Sequence, residues 1–452
     1  DYIGEDLHSI LICLSITCNF SACSSDDVDA PKDEDDPIDN VTEKLPLISI
    51  NTNGLEIPDE PKIDGEITFE VDNEVTYTGN IGIEIRGSSS QMFPKKGYGL
   101  ETRDAENEDL DVSLLGLPEE EDWILHGPYS DKSLMRNVLI YELSNEMERY
   151  ASRTRFVELN INGTYSGVYV FMEKLKRDKE RIDISKLKED ENSGEDLTGG
   201  YILKVDKNGS EGFTPQNSFV SQFGSDLDET TTPIYYLYEY PDADDITEQQ
   251  RDYISSYVND FETALASENF TDPDTGYEQY IDVDSFVDFM ILNEITNNVD
   301  AYRISTWMHK DKGEKLKMGP IWDFNIAFGN ADYCAGDATD VWAFEFGDRC
   351  KGDSLQVAFW WKRLMQDPAF VARFQTRWKE LRANILSNQN ILSKVDAYAE
   401  ELKSKGAVDK NFETWNVLGT YIWPNSYIGQ TYDDETTFLK SWIEARVSWM
   451  DT

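Results

Sequence analysis

Apolar and polar residues alternate with a period of two along "PLISINT" (46–52), "GEITFEV" (65–71) and "NIGIEIRG" (80–87), with Gly, Asn and Asp between the runs. From Pro46 to about Arg103 this pattern predicts antiparallel strands. The period changes in "SDKSLMRNVLIYELSNEMERY" (130–150), where Met135, Leu139, Leu143 and Met147 recur at every fourth position behind Ser130, a good N-cap. A helix starting near Ser130 is expected, with Arg136 and Asn137 interrupting its apolar face or lying beside it. "RFVELNINGTYSGVYVFMEK" (155–174) reads as a hairpin turning at Asn162-Gly163, whose second strand ends at Glu173, and "LTGGYILKVDK" (197–207) adds a strand. Helical periodicity dominates afterwards, in "DVDSFVDFMILNEITNN" (282–298), "PAFVARFQTRWKELRANIL" (368–386) and "TTFLKSWIEARVSWMD" (436–451). The predicted class is α+β, with a β-rich part over about 46–240 and a helical part over about 241–452. No repeat of solenoid length is present.

Composition adds constraints. The chain of 452 residues is 39% hydrophobic and 12% aromatic, enough for a substantial core. Its 88 acidic and 41 basic residues give a net charge of −47, which excludes a broad nucleic-acid surface because phosphate binding needs clustered cations. Near the start, the apolar run Ile10 to Thr17 and the box "FSAC" (20–23) read as a lipoprotein signal over 1–23 that leaves Cys23 lipidated, although "DYIGEDLHS" before them has no basic n-region. Residues 24–45, acidic and Pro-containing, read as a disordered tether. The expected location is the cell envelope, as a lipid-anchored outer-membrane or surface protein with no spanning helix. Cys334 and Cys350 remain as an even pair suited to one disulfide.

The most informative stretch is "KLKMGPIWDFNIAFGN" (315–330), in which Asp323 ends an apolar run between Trp322 and Phe324. A carboxylate buried there without a partner is costly, so a compensating cation is indicated. In "DAYRISTWMHKDKGEKLKMGPIWDFN" (300–325), two β-like runs, about Arg303 to Lys310 and Lys315 to Trp322, flank a turn centred between Lys312 and Gly313. That register sets Asp300 opposite Asn325 and Tyr302 opposite Asp323, so both acids emerge at one open end with an amide beside them. Asp300, Asp323 and Asn325 then make an oxygen-ligand set suited to Mg²⁺ or Mn²⁺. Walker, HExxH and GxSxG motifs are absent, and His8, His126 and His309 are not at ligand spacing.

An acid directly after a hairpin, and another directly before it, is also how protein kinases place a metal ligand and a catalytic base. The motifs "IEIRGSSS", "PKKGYGLE", "DKSLMRN", "NGTYSGVYVFMEK", "NNVD" and "GPIWDFNIAFGN", in that order over about residues 46–450, resemble the spore-coat protein H (CotH) kinase family of atypical kinases. The resemblance implies a two-lobed kinase-like fold and metal-dependent transfer from ATP to Ser hydroxyls of exported or surface proteins. It assigns the family's essential acids to Asp300, as base or second metal ligand, and Asp323, as metal ligand. Asn325 stands where many relatives carry Asp. The strand and turn "RGSSSQMFPKK" offer Arg86, Ser88 and Lys95 or Lys96 to the phosphates, with Glu173 as the acid that orients a lysine. A second reading is a catalytically weak or inactive kinase-like surface protein that binds glycans or cell-envelope partners, since nucleotide is scarce outside the cytoplasm. A glycosidase acid pair ranks last, because two acids beside an amide at a hairpin end suit a metal better.

Overall fold

The computed structural model describes residues 44–209, 212–227 and 231–452. Cys23 and the tether through residue 43 lie outside the described residues. The first alternating runs become β1 (Leu47–Asn51), β2 (Ile63–Val71), β3 (Glu74–Arg86), β4 (Gly97–Arg103) and β5 (Asp122–His126), and the Asn162-Gly163 hairpin gives β6 (Thr154–Ile161) and β7 (Thr164–Glu173). These seven strands form a closed barrel in the order β1-β2-β3-β4-β5-β7-β6. The expected antiparallel sheet is thus incomplete as a description. Closure comes from a parallel pairing of β1 with β6, in which Ile48 faces Leu159, and it removes the open edges an antiparallel meander would leave. Alternation sends Ile48, Ile67, Ile83, Trp123, Leu159 and Phe171 into the barrel interior, where they form a core of their own.

A second sheet contains β8 (Tyr201–Val205), β9 (Ser218–Val220), β10 (Tyr235–Tyr240), β11 (Thr306–Lys310) and β12 (Lys317–Met318), in the order β12-β11-β8-β10-β9. It draws strands from both sides of residue 240. Around it lie α1 (Arg136–Glu146), α2 (Glu248–Ala266), α3 (Val283–Thr296), α4 (Phe346–Arg349), α5 (Trp360–Leu364), α6 (Pro368–Arg382), α7 (Asn388–Ser404), α8 (Ala407–Thr414) and α9 (Tyr432–Met450). Their apolar faces join α1 and the inner face of this sheet in the larger core. Helix α3 begins where its acidic cap predicts, with the Asp282 side chain accepting the Ser285 N–H. Cys334 and Cys350 are disulfide-bonded, with Cα atoms 5.7 Å apart. No helix among the described residues is long and apolar enough to cross a membrane.

Two local expectations change. Helix α1 starts at Arg136 rather than near Ser130. The cause is Asp131, whose buried carboxylate accepts the backbone N–H of Ser133 and of Arg136 and so holds residues 130–135 as a turn. The hairpin is also shorter than its apolar pattern. Met308 faces Met318 and His309 faces Lys317, one residue out of the expected register, and pairing ends at Gly319-Pro320, where proline has no N–H to donate.

Candidate functional site

Helix α1 builds the support for the Trp322–Asn325 turn. The Asp323 N–H donates to the Tyr141 hydroxyl at 2.9 Å, and the Phe324 N–H donates to the Asn137 side-chain oxygen at 2.7 Å. Trp322 stacks on Tyr141 with ring centroids 6.0 Å apart. One turn further on, Arg136 donates to the carbonyl of Ala327 at 3.0 Å while pairing with Asp131 at 2.5 Å. The two polar residues that break the apolar face of α1 are therefore the ones that hold this loop. Asp323 itself has φ of 63°. A left-handed backbone at an aspartate is strained and persists only where the surroundings fix it, here through those two donated bonds.

Asp323 lines a cleft with Arg86, Gly87, Tyr129, Trp322 and Asn325. Among the described residues, no donor lies within hydrogen-bond distance of its carboxylate, and the Asn325 side-chain amide is equally free. Burial, with repulsion from Asp300 and Asp206, pushes the Asp323 pKa up to about 7, against the pull of Lys207 and Arg86. Asp300 follows the left-handed Asn297 that ends α3. It sits in a turn rather than on a paired strand, held by Arg303 at 2.9 Å and by its own N–H on the Asn298 side-chain oxygen. Its pKa is likewise raised by burial, with Arg303 and Lys207 opposing. Asp300 is among the charges that raise the Asp323 pKa, although the strands between them pair over only a few residues.

On the barrel side, Arg86 ends β3 with its guanidinium 5.7 Å over the Trp322 ring. It makes no ion pair or hydrogen bond among the described residues, and Asp323 is one of the charges that sustain its protonated form against burial. Ser88 is exposed in the turn that follows, its carbonyl accepting the Gln91 N–H. Three other residues proposed from the sequence lie elsewhere. Lys95 is buried and donates to the carbonyls of Pro128 and Val168 and to the Asn411 side chain, tying the barrel to α8. Lys96 turns back onto the carbonyl of Gln91. Glu173 is fully buried, but its carboxylate takes Arg153 at 2.7 Å and the Tyr150 hydroxyl at 3.2 Å rather than a lysine.

The sequence reading gave no role at the site to Asp206, Lys207, Arg303, Tyr141 or Asn137. Asp206 and Lys207 follow β8, and Val205 faces Thr306 at the start of β11, so this pair emerges beside the Asp300 turn. The available signal was a charged pair closing the strand "YILKVDK". Among the described residues the acids that converge tightly enough to close on one ion are Asp111, Glu120 and Glu121, on another part of the barrel. Lys176 already binds both glutamates there, at 2.8 and 2.6 Å. Asp323 and Asn325 fit a divalent cation differently, as free oxygen donors on one wall of a cleft whose negative charges repel one another, with positions left for a ligand's own oxygens.

Arg86, Asp300 and Asp323 all fall within residues 83–450, the span over which the sequence matches the family described as CotH kinase protein. No curated protein matches the chain. Since the family match covers most of the sequence and includes both Asp300 and Asp323, the chain belongs to the CotH kinase protein family.

Proposed function

We propose that this kinase-like protein transfers the γ-phosphoryl group of ATP to serine hydroxyls of exported or surface proteins, with Mg²⁺ or Mn²⁺ held at Asp323 and Asn325. The barrel and the helical body are read as counterparts of the two lobes of a kinase. One observation carries the proposal: an unpartnered carboxylate, Asp323, and an unpartnered guanidinium, Arg86, share a cleft without neutralising one another. That layout suits a ligand with both a cation and phosphate oxygens. The bound cation would neutralise charge developing on the phosphates.

The residues divide the remaining work. Arg86 orients phosphate oxygens through its planar fork. Asp300, steered by Arg303, accepts the proton of the acceptor hydroxyl as that oxygen bonds to the γ-phosphorus. The bond to the bridging oxygen breaks, and ADP leaves with the electron pair. Burial raises the affinity of Asp300 for a proton, which favours a base over a spectator charge. Calorimetry of the folded chain with MgATP and MnATP tests this reading. Binding that requires the metal supports it, whereas a surface module for glycans or envelope partners would bind neither. Cys23 is proposed as the lipid anchor, and fatty-acid labelling that disappears in Cys23→Ser is the expected result.

A further inference from the structure

We propose that Lys207 is the lysine that meets the β- and γ-phosphates, and that its bond to Ser89 holds the Gly87–Ser90 turn against the aspartate side of the cleft. This inference rests on the phosphoryl-transfer reading above and deepens it. The sequence offers Lys95 and Lys96 for this role, but both ammonium groups are committed to carbonyls of the barrel and its loops. Lys207 is differently placed. It follows β8 at the end where β8 pairs with the start of β11, directly after the Asp300 turn.

From there its ammonium crosses to the barrel and donates to the Ser89 hydroxyl at 2.7 Å. Among the described residues it has no carboxylate within ion-pair distance, although its charge acts on both Asp300 and Asp323. Asp206, its neighbour, turns its own carboxylate back onto the Lys207 N–H at 2.8 Å. An ammonium has three donors, and Ser89 uses one. The other two remain for a ligand, and the charge reaches Asp300 and Asp323, where a phosphate-bound cation would sit. Arg86 directly precedes the same turn, so the Gly87–Ser90 segment lies between one cation that bonds to Ser89 and another that stacks on Trp322. A nucleoside triphosphate has anionic phosphate oxygens for both, whereas a nucleoside has no phosphate.

The test is titration calorimetry of the whole chain and of Lys207→Met, Lys207→Arg and Ser89→Ala, using MgATP and, separately, adenosine. Lys207→Met is expected to weaken MgATP by roughly 10- to 100-fold, the scale of a lost charge-assisted hydrogen bond, with adenosine affinity and melting temperature unchanged. Lys207→Arg should restore most of the loss, and Ser89→Ala should weaken MgATP only a few-fold. Equal weakening of both ligands, or a lowered melting temperature in every variant, would make Lys207 a structural residue and overturn the inference. MgATP affinity in Lys207→Met within two-fold of a wild type that binds would overturn it while leaving the kinase reading standing. A wild type that binds no MgATP would remove both.

Discussion

Asp323 is half-buried with its carboxylate free of partners, and in that setting its pKa rises to about 7 from an ordinary 3.8. Between those values the folded chain holds a proton that the unfolded chain has lost. Stability from this group is therefore present below about pH 4, falls as pH rises toward 7, and levels off above it. Asp323→Asn removes that dependence and keeps a residue tolerant of the left-handed backbone. Denaturant midpoints at pH 5 and pH 8 should show a smaller difference in the variant than in the wild type. Metal binding has the opposite dependence, because the ligand must be ionised: titration at pH 6 should release close to one proton per cation bound. The role of Asp300 separates in Asp300→Asn. A base leaves MgATP affinity unchanged while transfer falls by about two to four powers of ten, whereas a ligand loses both together. Asp323 was legible in the sequence because a charge that ends an apolar run demands compensation, and Asp300 because the hairpin register brings it to the same end. Lys207 was not, since a charged pair after a strand looks like any solvated strand end, and its bond to Ser89 depends on which turn it crosses to.

Helix α1 fixes the Trp322–Asn325 turn through Asn137 and Tyr141, and anchors the following loop through Arg136. Asn137→Ala leaves the buried Phe324 N–H without an acceptor, which costs about 1–3 kcal/mol. Thermal unfolding should show that loss, and metal affinity should fall as well, because Asp323 depends on the same turn. Asp131→Ala strips Arg136 of its buried partner and is expected to cost about 3–5 kcal/mol, the larger effect of the two. The helix was readable from its four-residue apolar period. Its start was not, because Asp131 captures backbone N–H groups that a Ser130 cap would have left to the helix. The hairpin turn was readable from "DKGE", yet its strands stop short where Pro320 ends the ladder.

At the scale of the molecule, the barrel presents Arg86, Gly87 and Ser90 to the cleft, and the segment after the hairpin presents Trp322, Asp323 and Asn325. The alternation of apolar residues announced the strands, but closure depends on a parallel contact between Ile48 and Leu159, which no local pattern encodes. The Cys334–Cys350 pair was anticipated from its even count, and it closes a loop of 16 residues just beyond the Asp323 segment. Chain entropy gives such a closure about 3 kcal/mol. Replacing both cysteines by serine should lower the melting temperature accordingly while MgATP affinity holds. The central claim concerns chemistry at Asp323, and the direct measurement is transfer of labelled γ-phosphate from ATP to a serine-rich peptide, with Mg²⁺ or Mn²⁺, by the wild type and by Asp323→Asn. The account predicts metal-dependent labelling of serine by the wild type and loss of that labelling in the variant. Undiminished transfer by Asp323→Asn, or none by a wild type that is folded and supplied with metal, would contradict it.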